Sequence, residues 1–433
     1  MRLSGIFHTL RYRNFRLFFA GQGISLIGTW MQHVAMGWLV YRITNSPFLL
    51  GVVGFSSQIP AFFSPVAGVF ADRLNRRRLL LMTQIFSMLQ AFLLATLTLS
   101  GVVRVWHIII LSAFLGFINA LDIPVRQSFI VEMVERKENL SNAIALNSLI
   151  FNSARLIGPS VAGVLVAMTG EGICFLLNGL SFVAVIISLL MMKMKPPKEH
   201  LATADVLDGL KEGLRYSFGS LPIRSILFLL SVLSLMGMSY TILMPVFARD
   251  ILHGGPQTLG LLMASAGAGA LFATIYMASR KSVLGFGRMM PLSVMVFAAA
   301  IMLFSISRSL SFSLVLMAVA GFGLVVHNAA GNTILQTIVD DDKRGRVMSL
   351  YTMAFMGMAP LGSLGAGTLA GIIGASNTLI LGGAVCIVAA AIFARRLPEI
   401  RKVVHPVYKR IGIIPEVASG VNIVAELVVP PED

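Results

Sequence analysis

Two apolar runs, about 48–70 and 79–99, are joined by the stretch Gly68-Val-Phe-Ala-Asp72-Arg73-Leu-Asn-Arg76-Arg77-Arg78. Each run is long enough to cross a bilayer, which takes about 20 apolar residues. A joint holding four arginines and an aspartate cannot lie in hydrocarbon, where each charge costs several kcal/mol. It must turn tightly at a membrane surface. Lysine and arginine collect on the cytoplasmic side of membrane proteins, so this turn is placed inside. That fixes the direction of the runs on either side of it.

The rest of the chain follows the same plan. Twelve spans are expected, at about 15–41, 48–70, 79–99, 105–125, 142–168, 171–193, 224–249, 257–280, 288–307, 310–338, 347–373 and 376–396. With both termini inside, cytoplasmic segments hold 29 of the 34 basic residues; Arg42, Arg104, Arg249 and Arg308 fall in outer loops, and Arg155 falls inside a span. So lopsided a split makes the inner, cell-membrane orientation the expected one. The net charge of +15 is therefore topological, and no nucleic-acid partner is implied. A hydrophobic fraction of 56% with 12% charged residues and a mean hydropathy of +0.84 exclude an ordinary soluble domain. The runs are continuous, not alternating, which excludes a β-barrel. Cys174 and Cys386 lie in apolar runs and read as small core residues.

The charged segment 194–223 carries Pro196-Pro197 and reads as a linker. It divides the chain into an N-terminal six-helix half at 1–193 and a C-terminal half at 224–396, followed by a poorly packed cytoplasmic tail at 397–433. An internal repeat agrees with the division. Gly28, Pro47 and Gly51 recur as Gly237, Pro256 and Gly260, each 209 residues on. Six spans per half is an even number, so both halves enter the membrane in the same sense, as parallel repeats about an axis along the membrane normal.

Several stretches carry a resemblance. Gly68-x-x-x-Asp72-Arg73-x-x-Arg76-Arg77 is similar to the loop between the second and third helices of the major facilitator superfamily, with Asn75 where that family usually has glycine. Asn tolerates the left-handed turn that glycine would supply. Ala154-Arg155-Leu-Ile-Gly158-Pro159-Ser-Val-Ala162-Gly163 resembles the family's exporter-associated motif, and Ala359-Pro360 with Gly362, Gly365 and Gly367 partly echoes it in the eleventh span. Ser25-Leu-Ile-Gly28-Thr29-Trp30-Met31, Trp38-Leu-Val-Tyr41, Leu121-Asp122-Ile-Pro124-Val-Arg126-Gln127 and Asn142-Ala-Ile-Ala-Leu-Asn147-Ser148 narrow the likeness to the enterobactin-exporter, or transmembrane secretion effector, branch. The fold implied is an all-α polytopic membrane protein with twelve transmembrane helices as two six-helix parallel repeats. The function implied is secondary export of small amphiphilic molecules, siderophore- or drug-like, by alternating access with a proton as coupling ion. A facilitator or importer of a polar solute, or a non-transporting sensor, remains open. A small-molecule substrate and membrane lipid are the expected partners, and a monomer the expected state. No cofactor or metal is implied, and no nucleotide-binding glycine loop is present.

The resemblance also assigns candidate residues. Gly68, Asp72 and Arg73 would latch the cytoplasmic ends of the halves, with Arg126 as a partner of Asp72. Asp122 and Arg126, at i and i+4, are either part of that gate or a local ion pair. Gly158, Pro159 and Gly163 would make a close-packed, bendable interface helix. A cavity lined by the first, fourth, seventh and tenth helices would draw on Gln32, His33, Asn119, Tyr240, His327, Asn328 and Asn332, with Gln58 and Asn152 nearby. Arg155 lies roughly 20 Å into its span at 1.5 Å per residue. A cation at that depth needs a cavity or a partner. It either contacts an anionic or catechol-type substrate or coupling network, or bonds to carbonyls near Pro159 and nearby asparagines. The family's fourth-helix arginine is replaced by Ser112. No Asp, Glu or Lys lies deep in the first, seventh or tenth span, so His33 and His327 are the residues left for proton handling, or they are core histidines.

Overall fold

The computed structural model describes residues 11–63, 75–133, 140–192, 206–238, 240–280, 282–410 and 413. Among these the chain is helical throughout. Helix α1 is Arg13–Thr44, α2 is Pro47–Gln58 with a 3-10 turn Ile59–Phe63 after it, and α3 is Arg76–Leu99. Then come α4 Val105–Met133, α5 Leu140–Thr169, α6 Glu171–Met191 and α7 Val206–Gly219. Beyond these lie α8 Leu221–Ile251, α9 Pro256–Ser279, α10 Phe286–Ile306, α11 Leu310–Ile338, α12 Asp341–Ile373 and α13 Ala375–Arg410.

Ten of these helices are long and apolar enough to cross a membrane. Of the other two expected spans, α1 has the length but a lower hydropathy, and the second is described only as far as Phe63. The turn holding Gly68, Asp72 and Arg73 lies outside the described residues.

Local chemistry sets the helix ends. Ser46 caps α2, its hydroxyl accepting from the Leu49 amide at 3.3 Å, with Pro47 in the first turn, where its missing N–H costs nothing. Asn75 caps α3 by accepting from the Arg78 amide at 3.2 Å, so Asn75 acts as a cap with an extended backbone (φ −64°, ψ 108°), not as a left-handed turn residue. α5 and α6 are joined by Gly170 alone, α12 and α13 by Gly374 alone, and both have φ of +84°. Only glycine adopts that angle without strain.

α8 and α12 are each interrupted by π turns, at Leu233–Gly237 and Phe247–Ile251 in α8 and at Met353–Gly357 in α12. α13 continues well beyond 396, where a loose tail was expected. Ile400, Val404 and Tyr408 are buried and, with Leu397, recur at helical spacing and pack into the core. Within the expected linker, α7 lies against the start of α12.

Two seams join the helices before Met192 to those after Val206: α5 against α9, and α2 against α12. Both are glycine contacts. A Cβ on Gly163 would stand 2.9 Å from the Pro256 carbonyl oxygen, and one on Gly260 2.5 Å from that of Pro159; a Cβ on Gly51 would meet Ser363 O at 2.7 Å, and one on Gly367 Pro47 O at 2.6 Å. Gly158, Gly163 and Gly170 each have a counterpart 204 residues on, in Gly362, Gly367 and Gly374. Gly158 packs on the Ile27 carbonyl of α1, and Gly362 on the Leu235 carbonyl of α8.

Candidate functional site

Between the two seams lies a cavity of about 370 Å³, walled by α1, α2, α5, α8, α9 and the π turn of α12. Most of its wall is apolar: Val34, Val53, Ile242, Met238, Met244, Met263 and Phe355. Methionine gives such a wall adaptable shape.

Arg155, Trp30 and His33 form one polar corner of the cavity. Arg155 of α5 places its guanidinium 5.6 Å from the Trp30 ring centroid, a cation–π contact. Trp30 also meets His33 at 5.8 Å and Phe151 edge-on at 5.8 Å. Among the described residues, no hydrogen bond or ion pair reaches the Arg155 guanidinium, and no acidic residue lines the cavity. The backbone beneath it is fixed, because Gly267 of α9 packs so closely that a Cβ would stand 2.7 Å from the Arg155 carbonyl oxygen. Of the readings open for Arg155, bonding to carbonyls and asparagines is not what its side chain does. Across the cavity, the Tyr240 ring packs on Phe297 at 5.9 Å, and its buried hydroxyl has no partner among the described residues. Gln58 donates to Ser363 Oγ at 3.2 Å and so ties α2 to α12 at the wall.

The other candidates are elsewhere. Gln32 turns away from the cavity: its amide donates to Gln90 Oε1 at 3.1 Å and its carbonyl accepts from Asn178 Nδ2 at 2.8 Å. Asn152 donates to Ser148 O one turn back in its own helix. His327 of α11 is buried against α10, with Nδ1 3.4 Å from Met290 O and, among the described residues, no partner for Nε2. Asn119 and Asn328 lie off the cavity wall, and the Asn328 carbonyl accepts from Tyr351 at 2.9 Å. Asn332 accepts from Gln336 in its own helix. The cavity is thus walled by the first and seventh spans as expected, but by α2, α5 and α9 in place of the fourth and tenth.

Asp122 is buried and well held. One oxygen accepts from Thr83 at 2.7 Å and Gln84 at 2.8 Å, the other faces Arg126 at 3.4 Å. The ion pair lies within α4, and the bonds from Thr83 and Gln84 join α3 to α4. Arg126's expected partner Asp72 lies outside the described residues.

Two features escaped the sequence reading. Tyr41 donates to Asp250, its counterpart at the 209-residue spacing. Beside them Arg249 donates to Asn45 at 2.6 Å and lies over the Tyr41 ring at 5.7 Å. These contacts tie α1 to α8 at the end of the bundle where α1 finishes, and there Arg42 also pairs with Glu171 of α6 at 2.7 Å. Secondly, two π turns meet beneath the cavity: Ser234 in α8 donates to the Phe355 carbonyl in α12. A π turn leaves a carbonyl unmatched by its own helix, and Ser234 satisfies this one. The 209-residue spacing was the available signal for the first; nothing in Leu233–Gly237 or Met353–Gly357 marks the second.

Membrane-length helices around a mostly apolar cavity, in a chain with major facilitator relatives, make this a membrane transporter of that class. The chain belongs to the transmembrane secretion effector family, whose profile matches residues 4–413. It is 26% identical to the staphyloferrin A transporter of Staphylococcus aureus over 391 residues, covering 88% of this chain and 96% of that one. It is 24% identical to the multidrug efflux pump Tap of Mycolicibacterium fortuitum, covering 83% and 88%. Among solved structures, a bacterial homologue of the human lysosomal transporter Spinster, inward-facing and unoccupied, superposes with a TM-score of 0.69 at 14% identity, covering 90% of this chain and 98% of that one.

Proposed function

We propose that the chain is a secondary exporter of small amphiphilic molecules with an anionic or catechol-type group, siderophore- or drug-like, working by alternating access. The observation that carries this is Arg155: an unpaired guanidinium beside Trp30 on an otherwise apolar wall. A cation at membrane depth without an anionic partner is costly, and an anionic cargo would supply the partner while the methionines and aromatics took its apolar part. The siderophore and multidrug transporters among its relatives support a cargo of this kind.

The two halves, 1–193 and 224–396, would rock about the glycine seams as twelve spans in two parallel repeats. The contacts at matching positions, Gly158 with Gly362 and Gly163 with Gly367, favour that symmetry. The tied Tyr41–Asp250 end would be the outer one, which makes the conformation inward-facing. Gly68, Asp72 and Arg73, with Arg126, would latch the cytoplasmic ends when the outer end opens. The chain would sit in the inner membrane as a monomer with both termini in the cytoplasm. Proton drive would act through His33, the imidazole on the cavity wall, since an imidazole changes charge near neutral pH.

The test is accumulation of dyes, drugs and catechol siderophores in efflux-deficient cells, with and without a protonophore. The wild type should lower accumulation of at least one anionic compound, and the protonophore should abolish this. Arg155→Ala, at matched expression, should lose the effect roughly tenfold, the weight of one charge-assisted contact; Arg155→Lys should retain part. No effect on any compound argues for a sensor, and raised accumulation for an importer.

A further inference from the structure

A second cavity, of about 300 Å³, lies far from Arg155, at the end of the bundle where α9 finishes and α10 begins. Its walls come from three places: the α9–α10 turn, the α8 and α11 residues Ile226 and Ile334, and the extension of α13 beyond 396. The interior is apolar, made by Phe393, Ile400 and Val404 among others. The rim is basic: Arg288, Arg401 and His405.

These three side chains are exposed, and among the described residues none of them makes an ion pair or a side-chain hydrogen bond. The same end of α13 is basic on its outward side, with Arg395, Arg396, Lys402 and Lys409 exposed against the single acid Glu399. The inward side, Ile400, Val404 and Tyr408, is buried. The α13 extension is therefore an amphipathic helix that clamps a greasy slot and rings its mouth with cations. The walls are the ends of membrane-length helices, so the mouth opens at the level of lipid headgroups.

We propose that this slot is a binding site for an anionic phospholipid, whose phosphate sits between Arg288 and Arg401 while the upper part of an acyl chain fills the apolar interior. Charge complementarity selects the occupant. A zwitterionic lipid would bring its own cation to the basic rim, and a free phosphate would leave the apolar interior empty. Basic pockets between membrane helices are suited to acidic headgroups. The site stands apart from the transport cavity, so its occupancy bears on stability of the α10–α13 packing, not on cargo recognition.

The test uses the purified full chain in detergent, stripped of lipid and equilibrated with micelles of equimolar phosphatidylglycerol and phosphatidylcholine, with bound lipid counted by native mass spectrometry. The wild type should retain phosphatidylglycerol in preference, and the Arg288→Gln/Arg401→Gln double variant should lose that preference roughly tenfold. Arg395→Gln, on the same helix but off the slot, should behave as wild type. Leu284→Trp keeps both arginines and narrows the slot, and should also lose the retained lipid. Equal retention of the two lipids by the wild type overturns the proposal. So does an equal loss in Arg395→Gln, which would mean a diffuse basic surface, or displacement of the lipid by inorganic phosphate alone, which would mean a simple anion site.

Discussion

The helices before Met192 and those after Val206 are held together in different ways. In the first group, polar side chains bridge helices inside the membrane-length segments. Gln32 joins Gln90 and Asn178, and Asp122 joins Thr83 and Gln84. In the second group a few hydroxyl-to-carbonyl bonds, from Ser234 to Phe355 and from Ser265 to Leu314, accompany bridges that are mainly steric. A Cβ on Gly269 of α9 would stand 1.8 Å from the Ala318 carbonyl oxygen of α11, and one on Gly321 2.0 Å from that of Ala266. Phe247 and Phe304 pack with centroids 4.8 Å apart. The ion pairs described for the second group gather instead at its surface, around Asp340–Arg346 and Arg410. Between lipid-covered helices there is no hydrophobic drive to associate, so close backbone approach and hydrogen bonds do the work. One group relies more on the latter, the other on the former. The difference matches the cavity, where Arg155 and His33 come from the first group and a largely apolar wall, Met238, Ile242, Met244 and Met263, from the second.

The comparison is broken most sharply at Gly269. Gly269→Val should destabilise the protein by about 3 kcal/mol or more, since overpacking here meets backbone and cannot be relieved by a side-chain rotation. Gly365→Val, where a Cβ meets nothing within 4 Å, should be close to neutral. Thermal unfolding of the two variants in detergent checks this, and equal melting would mean that α9 and α11 do not approach as closely as described.

Asp122 is the matching probe in the first group, with a smaller effect. Asp122→Ala removes the acceptor that Gln84 and Arg126 share, while Thr83 keeps the Leu80 carbonyl, and should cost about 2 kcal/mol. Arg126 is partly exposed, at 22%, so water recovers some of its charge and the full penalty of a broken buried pair is not expected. Asp122→Asn keeps the shape and one acceptor, and should cost less. If Asp122→Ala instead leaves the melting temperature alone and slows transport, the pair belongs to the gate and not to the packing.

Much of this architecture was legible in the sequence, for physical reasons. Membrane spans announce themselves by length and composition, and the glycines of α5 stood out because small residues at that spacing imply close packing. Rotation of a helix about its own axis was not legible. Gln32 and His33 are neighbours, about 100° apart on a helix of 3.6 residues per turn, and both lay on a polar face of uncertain direction. The structure turns His33 to the cavity and Gln32 to α3 and α6. Pro398 and Pro406, a residue type that usually ends a helix, masked the helical extension of α13, although Leu397, Ile400, Val404 and Tyr408 carry the helical period. Pro398 and Pro406 lie inside the helix, where the buried face outweighs the lost backbone bonds.

The smallest expected effect lies at the surface brace of the second group. Glu212 on α7 accepts from Lys343 and pairs with Arg346 at 2.5 Å, and Tyr216 donates to Asp340 at 3.3 Å. The hydrogen bond from Lys343, with the charge of Arg346 beside it, holds the Glu212 carboxyl below the ordinary carboxylate range. A depressed folded-state value means that the contribution is present above that range and lost as pH falls through the folded value. Lys343 is raised in turn by its bonds to Glu212 and Asp342, so its share fades only as pH rises past the ordinary lysine range. Between those limits the docking of α7 on α12 should not depend on pH. Hydrogen-exchange protection of α7 amides should be flat from about pH 5 to 9, then fall on acidification, while Glu212→Gln should start lower and stay flat. The pair is exposed and screened by salt, so raising the ionic strength should reproduce the loss in the wild type. If Glu212→Gln leaves protection unchanged, α7 is held by the close approach of Gly213 to Arg346. The steric mode of the second group would then extend to its surface as well.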